Sequence, residues 1–477
     1  MKVGALPVDM GVATKPEATA NSPRILLLFS ALMVMIFASA APASTLTSVM
    51  ALLVAAVATT VALLHPMVVR NGDWQRRAEW ALVVSLLLAG LVLTGGILAQ
   101  AFAALASPLW MTAVTAYTIL GLTGALLLYR RLPHLKWAFA LFLLVHTAMT
   151  VAFLRSSPAL IDVAVFLRDG AAAVLHGHNP YAMTFPNIYP PKATQQFYGP
   201  GVVINGRVTF GFPYLPVVLL VAVPAQLLGD VRYGQLIAML VTALVLRRLA
   251  SDRVGRAAAV LSVAAPVAIP MLSGAWTEPT LVALLACLVL TLERRRYAFV
   301  AVFLGLFIVS KQYVVITIPL IWLIRRWLTR RTILIGLGLA AAVTLPFFVV
   351  DPPAFWKAIV EYQLIQPFRS DSVSLLVSSV NTFDWPPPWT YGVLPLAGGG
   401  LTAIVLALRA PRTPPAFAAA VGLTLLVTIL LSKEAFMNYY YLVSGAFLIA
   451  AVAWPTQRSL TAPSSSQDLQ PIPHEDP

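Results

Sequence analysis

Apolar runs of about 18 residues or more follow one another along most of this chain, separated by short polar loops. The runs are continuous, not alternating, so they predict membrane-spanning helices and argue against a β-barrel. Spans are expected near 24–43, 46–66, 79–100, 108–129 and 137–155, and again near 255–272, 280–293 and 332–350. Three more follow at 389–408, 414–431 and 435–454. The stretch 297–324 is too long for one untilted span and is broken at Ser310-Lys311-Gln312, which predicts two short helices meeting near Lys311. The segments 213–229 and 233–249 conflict with the loop charges on either side, so 213–229 is either re-entrant or an exception to the charge rule. The expected fold is an all-α, polytopic transmembrane helical bundle of about 13–15 spans. Two long polar loops, 156–212 and 351–388, each carry an amphipathic helix suited to a membrane surface. Residues 1–23 and 455–477 are polar and read as disordered. The run 24–43 is read as a retained span, not a cleaved signal.

Composition agrees with this pattern. Of 477 residues, 59% are hydrophobic and 10% charged, and the mean hydropathy is +0.84. The net charge of +14 is no nucleic-acid footprint. The basic residues cluster in short loops or at span ends: Arg70/Arg76/Arg77, Arg130/Arg131/Lys136, Arg247/Arg248/Arg253/Arg256, Arg294/Arg295/Arg296, Arg325/Arg326/Arg330/Arg331 and Arg409/Arg412. The positive-inside rule puts these loops in the cytoplasm. The two long loops, the Glu278 turn, the Lys311 break and the Lys433-Glu434 turn then share the extracytoplasmic face of a multi-pass cell-membrane protein. The chain has one cysteine, Cys287, which excludes an intrachain disulfide and a cysteine-based metal site.

Candidate chemistry gathers on that outer face. Asp162, Asp169 and His176 recur every seventh residue, so on a helix they fall within roughly 40° of each other. Val163, Ala164, Leu167, Ala171, Val174 and Leu175 fall opposite. Either aspartate could serve as a general base beside a Pro- and Tyr-rich loop whose rings could stack on sugar; either could equally be a solvated residue of an interfacial helix. Lys311 sits inside an apolar stretch, where a partnered or anion-binding lysine is expected over a snorkelling one. Glu278 reads as a carboxylate favoured by a helix N-terminus, or as the partner of Lys311. Arg369 is a candidate phosphate ligand. Lys433, Glu434, Asn438 and Tyr439 crowd a later span start and either close a site or anchor a helix end. His176 and His178 lack a metal-ligand pattern. No GxxxxGK[ST] and no D-x-D occur, so a nucleotide-driven or cytoplasmic nucleotide-sugar enzyme has no candidate motif.

These motifs in this order resemble the GT-C superfamily of integral-membrane glycosyltransferases, most closely the bacterial polyprenyl-phosphomannose-dependent mannosyltransferases. The resemblance spans roughly 137–454. It rests on Asp162 followed by Gly177, Asn179, Pro180 and Tyr181, on GFPYLPVVLL at 211–220, on the GAWTEP turn, on the Lys311 break and on SKEAFMNYYYLV at 432–443. It implies a catalytic module at 137–454 preceded by accessory helices at 24–136. It implies an inverting transfer of a sugar, mannose or another hexose or pentose, from a polyprenyl-phosphate donor to an acceptor hydroxyl on a glycolipid, a glycan or a protein. Asp162 would be the catalytic base, with Asp169 in reserve. Lys311 and Arg369 would bind the donor phosphate; His176, Asn179, Tyr181, Tyr214, Glu278, Lys433, Glu434 and Asn438 would contact substrate. No metal ligand is assigned, and a divalent cation stays open as a cofactor. A lipid-linked sugar flippase or other secondary transporter, and a glycopolymer ligase or polymerase, are the alternatives. The chain departs from the family plan in having four spans before the one leading into the Asp162 loop, and in an insertion at about 187–207.

Overall fold

The computed structural model describes residues 23–39, 46–64, 73–99, 107–130, 136–265, 267–385 and 389–454. The expected disordered ends, and the basic loop segments 65–72 and 131–135, lie outside these residues. The chain is an all-helical bundle. Its helices are α1 (Arg24–Ser39), α2 (Leu46–Leu64), α3 (Asp73–Ala99), α4 (Ser107–Arg130), α5 (Lys136–Ser156), α6 (Asp162–Leu175), α7 (Pro191–Tyr198), α8 (Pro216–Leu227), α9 (Arg232–Leu249) and α10 (Arg253–Ala258). Then come α11 (Leu261–Ala264), α12 (Ala268–Ser273), α13 (Glu278–Glu293), α14 (Tyr297–Ile308), α15 (Arg330–Val350), α16 (Pro352–Trp356), α17 (Tyr362–Ile365), α18 (Leu375–Phe383), α19 (Leu394–Arg409), α20 (Pro414–Leu430) and α21 (Met437–Ala453). A two-stranded antiparallel ribbon, β1 (Val203–Ile204) with β2 (Arg207–Val208), pairs Val203 with Val208 and Ile204 with Arg207.

Four described helices, α2, α3, α5 and α15, contain apolar stretches long enough to cross a bilayer. A fifth span is added if α8 and α9, bent by 109° at their corner, are taken together. Further apolar stretches among the described residues are shorter than 18 residues, at Arg24–Phe37, Thr112–Leu126, Tyr297–Ile308, Leu394–Arg409, Pro414–Leu430 and Met437–Ala453. The predicted span 255–272 is in fact α10, α11 and α12, with Pro270 inside the last. The stretch at Lys311 breaks as expected, but its second half, Gln312–Trp327, is 3₁₀-helical. At about 2.0 Å per residue its 16 residues reach about 32 Å, where an α-helix would reach only about 24 Å. The tighter winding lets a short segment match a hydrocarbon core of about 30 Å.

The core lies around α13, α20 and α21, whose side chains are almost all buried. Helix α1 packs against both α2 and α21, and its buried Arg24 pairs with Asp252 just before α10. Helix α15 is peripheral. It meets α14 through glycine: a Cβ on Gly305 would stand 2.5 Å from the Gly336 carbonyl oxygen. Helix α6 buries Val163, Phe166, Leu167, Gly170 and Ala171 and packs on α8, so its apolar side lies against protein. The helix stops at Leu175, with Gly177 at φ +76° turning the chain away.

Candidate active site

Asp162 opens the first turn of α6, where the helix dipole favours a carboxylate. The side chain is half-buried. Its Oδ1 accepts the Val163 N–H at 2.8 Å, and its Oδ2 accepts the Tyr198 hydroxyl at 2.8 Å. The Asp162 N–H donates to the Tyr189 hydroxyl at 3.1 Å. Burial raises the Asp162 pKa; the hydrogen bonds from Tyr198 and Val163, then Tyr189, and the charge of Arg369 oppose it. Burial and the Asp162 charge together push the Tyr198 phenol up, so it stays protonated and keeps donating.

Both tyrosines come from the stretch 187–207. Pro at the first helical position starts α7 and Gly199, at φ +80°, ends it, which sets Phe197 and Tyr198 at its last turn. Asn187 fixes the lead-in by bonding the Thr194 hydroxyl at 2.8 Å and the Tyr189 carbonyl at 3.1 Å. Aromatic rings form the floor: Phe210 stacks on Tyr362 at 3.6 Å and meets Tyr198 and Phe166 at 6.2 and 5.9 Å.

Across from Asp162 lies Arg369. Asp371 clamps it in a bidentate pair at 2.8 and 2.7 Å, and its guanidinium lies over the rings of Phe197 and Phe436, 4.3 and 4.6 Å from their centroids. Burial raises the Asp371 pKa, but the Arg369 bonds and charge outweigh it and hold the carboxyl below its usual value. The second loop is sewn to the turn before α21. The Arg369 N–H bonds the Lys433 carbonyl at 3.3 Å, the Val373 N–H bonds the Ala435 carbonyl at 2.8 Å, and the Tyr440 hydroxyl bonds the Val373 carbonyl. Lys433 is consumed in the same seam: its Nζ donates to the carbonyls of Leu364 and Gln366 at 3.3 and 2.5 Å. Glu434 is left half-buried, and among the described residues no donor reaches its carboxylate. Burial pushes its pKa up to about 7, with Arg369 and Lys433 opposing and Asp162 and Asp371 adding to the rise. Arg369 therefore sits among three carboxylates, Asp162, Asp371 and Glu434.

A second, drier cluster adjoins this one through Tyr214 and Tyr439, whose hydroxyls feel the charges of both groups. Glu278 is 0% exposed and Lys311 5%. Lys311 Nζ pairs with Glu278 Oε1, which also accepts Asn438 Nδ2 at 2.9 Å and the Tyr313 hydroxyl at 3.2 Å. The ammonium lies 4.9, 5.5 and 5.6 Å from the ring centres of Tyr214, Tyr313 and Tyr439. Gln312 and Gln363 both bond the Pro213 carbonyl, at 2.7 and 3.2 Å, which holds the Tyr214 lead-in against the Lys311 break.

Other residues singled out from the sequence stand elsewhere. Asp169 pairs with the exposed Arg168 at 2.8 Å. The His176 ring bonds the Ala172 carbonyl at 2.7 Å, and His176 and His178 are exposed. Asn179 caps the next turn through the Tyr181 N–H at 3.1 Å and ties it to α15 through the Phe347 carbonyl at 3.2 Å. Tyr181 is buried against Phe212, Phe347 and Phe355, its hydroxyl donating to the Tyr214 carbonyl at 2.7 Å. Gly211 admits this: a Cβ there would strike the Tyr181 carbonyl. The structure thus brings Asp162, Arg369 and Glu434 together, and Glu278, Lys311, Asn438 and Tyr214 beside them. It adds Tyr189, Phe197 and Tyr198, for which only the aromatic runs PNIYPP and QQFYGPG were a signal, Phe436 from SKEAFMNYYYLV, and Asp371 from the second long loop. Among the described residues no three His, Cys, Asp or Glu side chains come together as metal ligands.

Fold and site together define an all-helical membrane protein with a half-buried acid cluster beneath two long loops. No family model and no curated protein matches the sequence. Among solved structures, the crystal structure of ArnT from Cupriavidus metallidurans bound to undecaprenyl phosphate is similar over 61% of this chain and 54% of its own, at 21% identity and a TM-score of 0.36. The match thus spans about half the length of that protein.

Proposed function

We propose that this protein is an inverting glycosyltransferase of the outer membrane face that takes its sugar from a polyprenyl-phosphate donor. The observation that carries the reading is Asp162: a carboxylate raised in pKa by burial, held by Tyr198 and set in an aromatic pocket within reach of Arg369's charge. Ionised, Asp162 removes the acceptor hydroxyl proton as that oxygen bonds to the anomeric carbon. The bond from that carbon to the phosphate oxygen breaks, and polyprenyl phosphate leaves with the electron pair. One base suffices for inversion, whereas retention needs a nucleophilic carboxylate beside a second carboxyl. The developing phosphate charge needs cations. Arg369 supplies one: Asp371 takes its Nε and Nη2, and no described residue bonds Nη1. Lys311 is bonded to Glu278, so it neutralises that buried carboxylate beside the site and keeps it from opposing the phosphate. Glu434, Asn438 and Tyr214 line the substrate space between these groups. The sugar is mannose or another hexose or pentose, and the acceptor a hydroxyl on a glycolipid, glycan or protein.

The test is transfer from radiolabelled polyprenyl-phosphate mannose by membranes holding wild type, Asp162→Asn or Asp169→Asn. Loss of the base should cost about 10²–10⁴-fold in rate, with Asp169→Asn close to wild type. Equal transfer by wild type and Asp162→Asn removes Asp162 from the mechanism.

A further inference from the structure

The end of α5 holds a cavity that the Asp162 site does not use. Its volume is about 330 Å³, and it lies between the last turn of α5, the linker after it and the α8–α9 corner. Its two arginines differ. Arg232 is buried and spent: Asp230 chelates it at 3.0 and 2.6 Å, and its Nη1 and Nη2 bond the carbonyls of Ser157 and Leu154 at 2.8 and 2.6 Å. That pairing neutralises Asp230. Arg155 is exposed and, among the described residues, donates only its Nε to the Tyr233 hydroxyl at 3.3 Å and has no carboxylate partner. The cavity therefore carries one unmatched positive charge, with both Nη groups of Arg155 free. In the candidate active site, by contrast, Arg369 and Lys311 already have carboxylates.

Exposed leucines flank it in the chain. Leu228 lines the cavity and is 63% exposed, while Leu227, its chain neighbour, and Leu160, two residues past the lining Pro158, are 72% and 83% exposed. Arg155 stands in the last turn of α5, which is apolar and long enough to cross a bilayer, so it lies at headgroup level. A fork-shaped cation set in a concave site, with exposed leucines on the same chain segments, matches a phosphate ester at the head of a lipid. We propose that this cavity binds the phosphate of a membrane phospholipid, with Arg155 as its donor and the three leucines against its chains. The site does not depend on the glycosyltransferase reading.

Native mass spectrometry of the full chain in detergent, titrated with phosphatidylglycerol, tests it. Arg155→Gln should bind the tightest lipid roughly five- to tenfold more weakly. Arg155→Lys, which keeps the charge but loses the fork, should fall between. Arg155 makes a single hydrogen bond, so both variants should unfold thermally like wild type; if the glutamine variant does not fold, the lysine variant decides. Unchanged lipid affinity in the folded variants overturns the site. Excess inorganic phosphate should leave the lipid bound; displacement by it assigns the cavity to a soluble phosphate and overturns the lipid.

Discussion

Removing one hydroxyl, with Tyr198→Phe, tests whether the loop helix α7 tunes the proposed base. Tyr198 bonds Asp162 Oδ2 at 2.8 Å and so stabilises the ionised form. A hydrogen bond to a charged group is worth about 1.5–3 kcal/mol. At about 1.4 kcal/mol per pKa unit, that is roughly one to two units. Asp162 is half-buried, so water replaces part of the lost bond and the lower end applies, about one unit. The sign follows from the base role. Activity needs the carboxylate, so it falls as pH drops through the raised Asp162 pKa. Without Tyr198 that pKa rises further, and the acid limb of kcat moves up by about one pH unit. The plateau should fall about tenfold, because the carboxylate loses the contact that orients it, while the donor KM stays within about twofold of wild type. The assay is the pH profile of transfer from a radiolabelled polyprenyl-phosphate donor in detergent-purified enzyme. An acid limb that does not move, with an unchanged plateau, refutes the role of Tyr198. A limb that moves down means the titrating group is not this carboxylate.

Glu434→Gln should flatten the pH dependence of donor binding: in wild type the donor KM rises as pH passes about 7 and Glu434 becomes an anion facing phosphate, and a KM that still climbs in the variant refutes this. The same raised pKa means Glu434 adds stability fully below its ordinary value of 4.5 and loses it as pH rises through about 7, so the variant should gain in thermal stability on the alkaline side. Lys311→Met should cost about 3–5 kcal/mol by leaving the fully buried Glu278 unpaired; adding Glu278→Gln should restore most of it in thermal unfolding, and no recovery would sink the pairing argument. Gly305→Ala should cost about 1–3 kcal/mol by forcing α14 and α15 apart, whereas Gly338→Ala, with open space around it, should be near neutral.

What the sequence disclosed was local, and what it withheld was not. The seven-residue recurrence of Asp162, Asp169 and His176 located α6, and the apolar positions Val163, Leu167 and Ala171 are buried as that period requires. The Ser310-Lys311-Gln312 interruption located the break before the 3₁₀ segment, and a charge inside an apolar stretch pointed to a partner. Span lengths were less legible, because hydropathy does not register a change from α to 3₁₀ winding or a break into three short helices. The surroundings of Asp162 were not legible at all. Tyr189 and Tyr198 lie 27 and 36 residues away in a stretch with no periodicity. Phe436 belongs to the last turn before α21 and reaches Arg369 only because backbone bonds join that turn to the second loop.

The choice between Asp162 and Asp169 turns on the same non-local packing. Periodicity puts both on one face of α6, so it treats them as equals. Helix α7 breaks the equivalence by folding over the first turn of α6 and leaving the second open. Asp169 stays in water beside Arg168, in an exposed pair of the kind that contributes little. Asp162 is partly withdrawn from water, which raises its basicity, and it is held in the rotamer that Tyr198 selects. The cost of withdrawing it is offset by Arg369, which also serves Asp371 and Glu434. One cation among three carboxylates leaves the cluster anionic when all are ionised, and Glu434, with no donor among the described residues and its pKa pushed up to about 7, can relieve the excess by taking a proton. An anionic phosphodiester entering this cluster, and the more highly charged phosphate that leaves it, therefore favour protonated Glu434, whereas deprotonating an acceptor needs ionised Asp162. The two demands are compatible only because separate groups meet them.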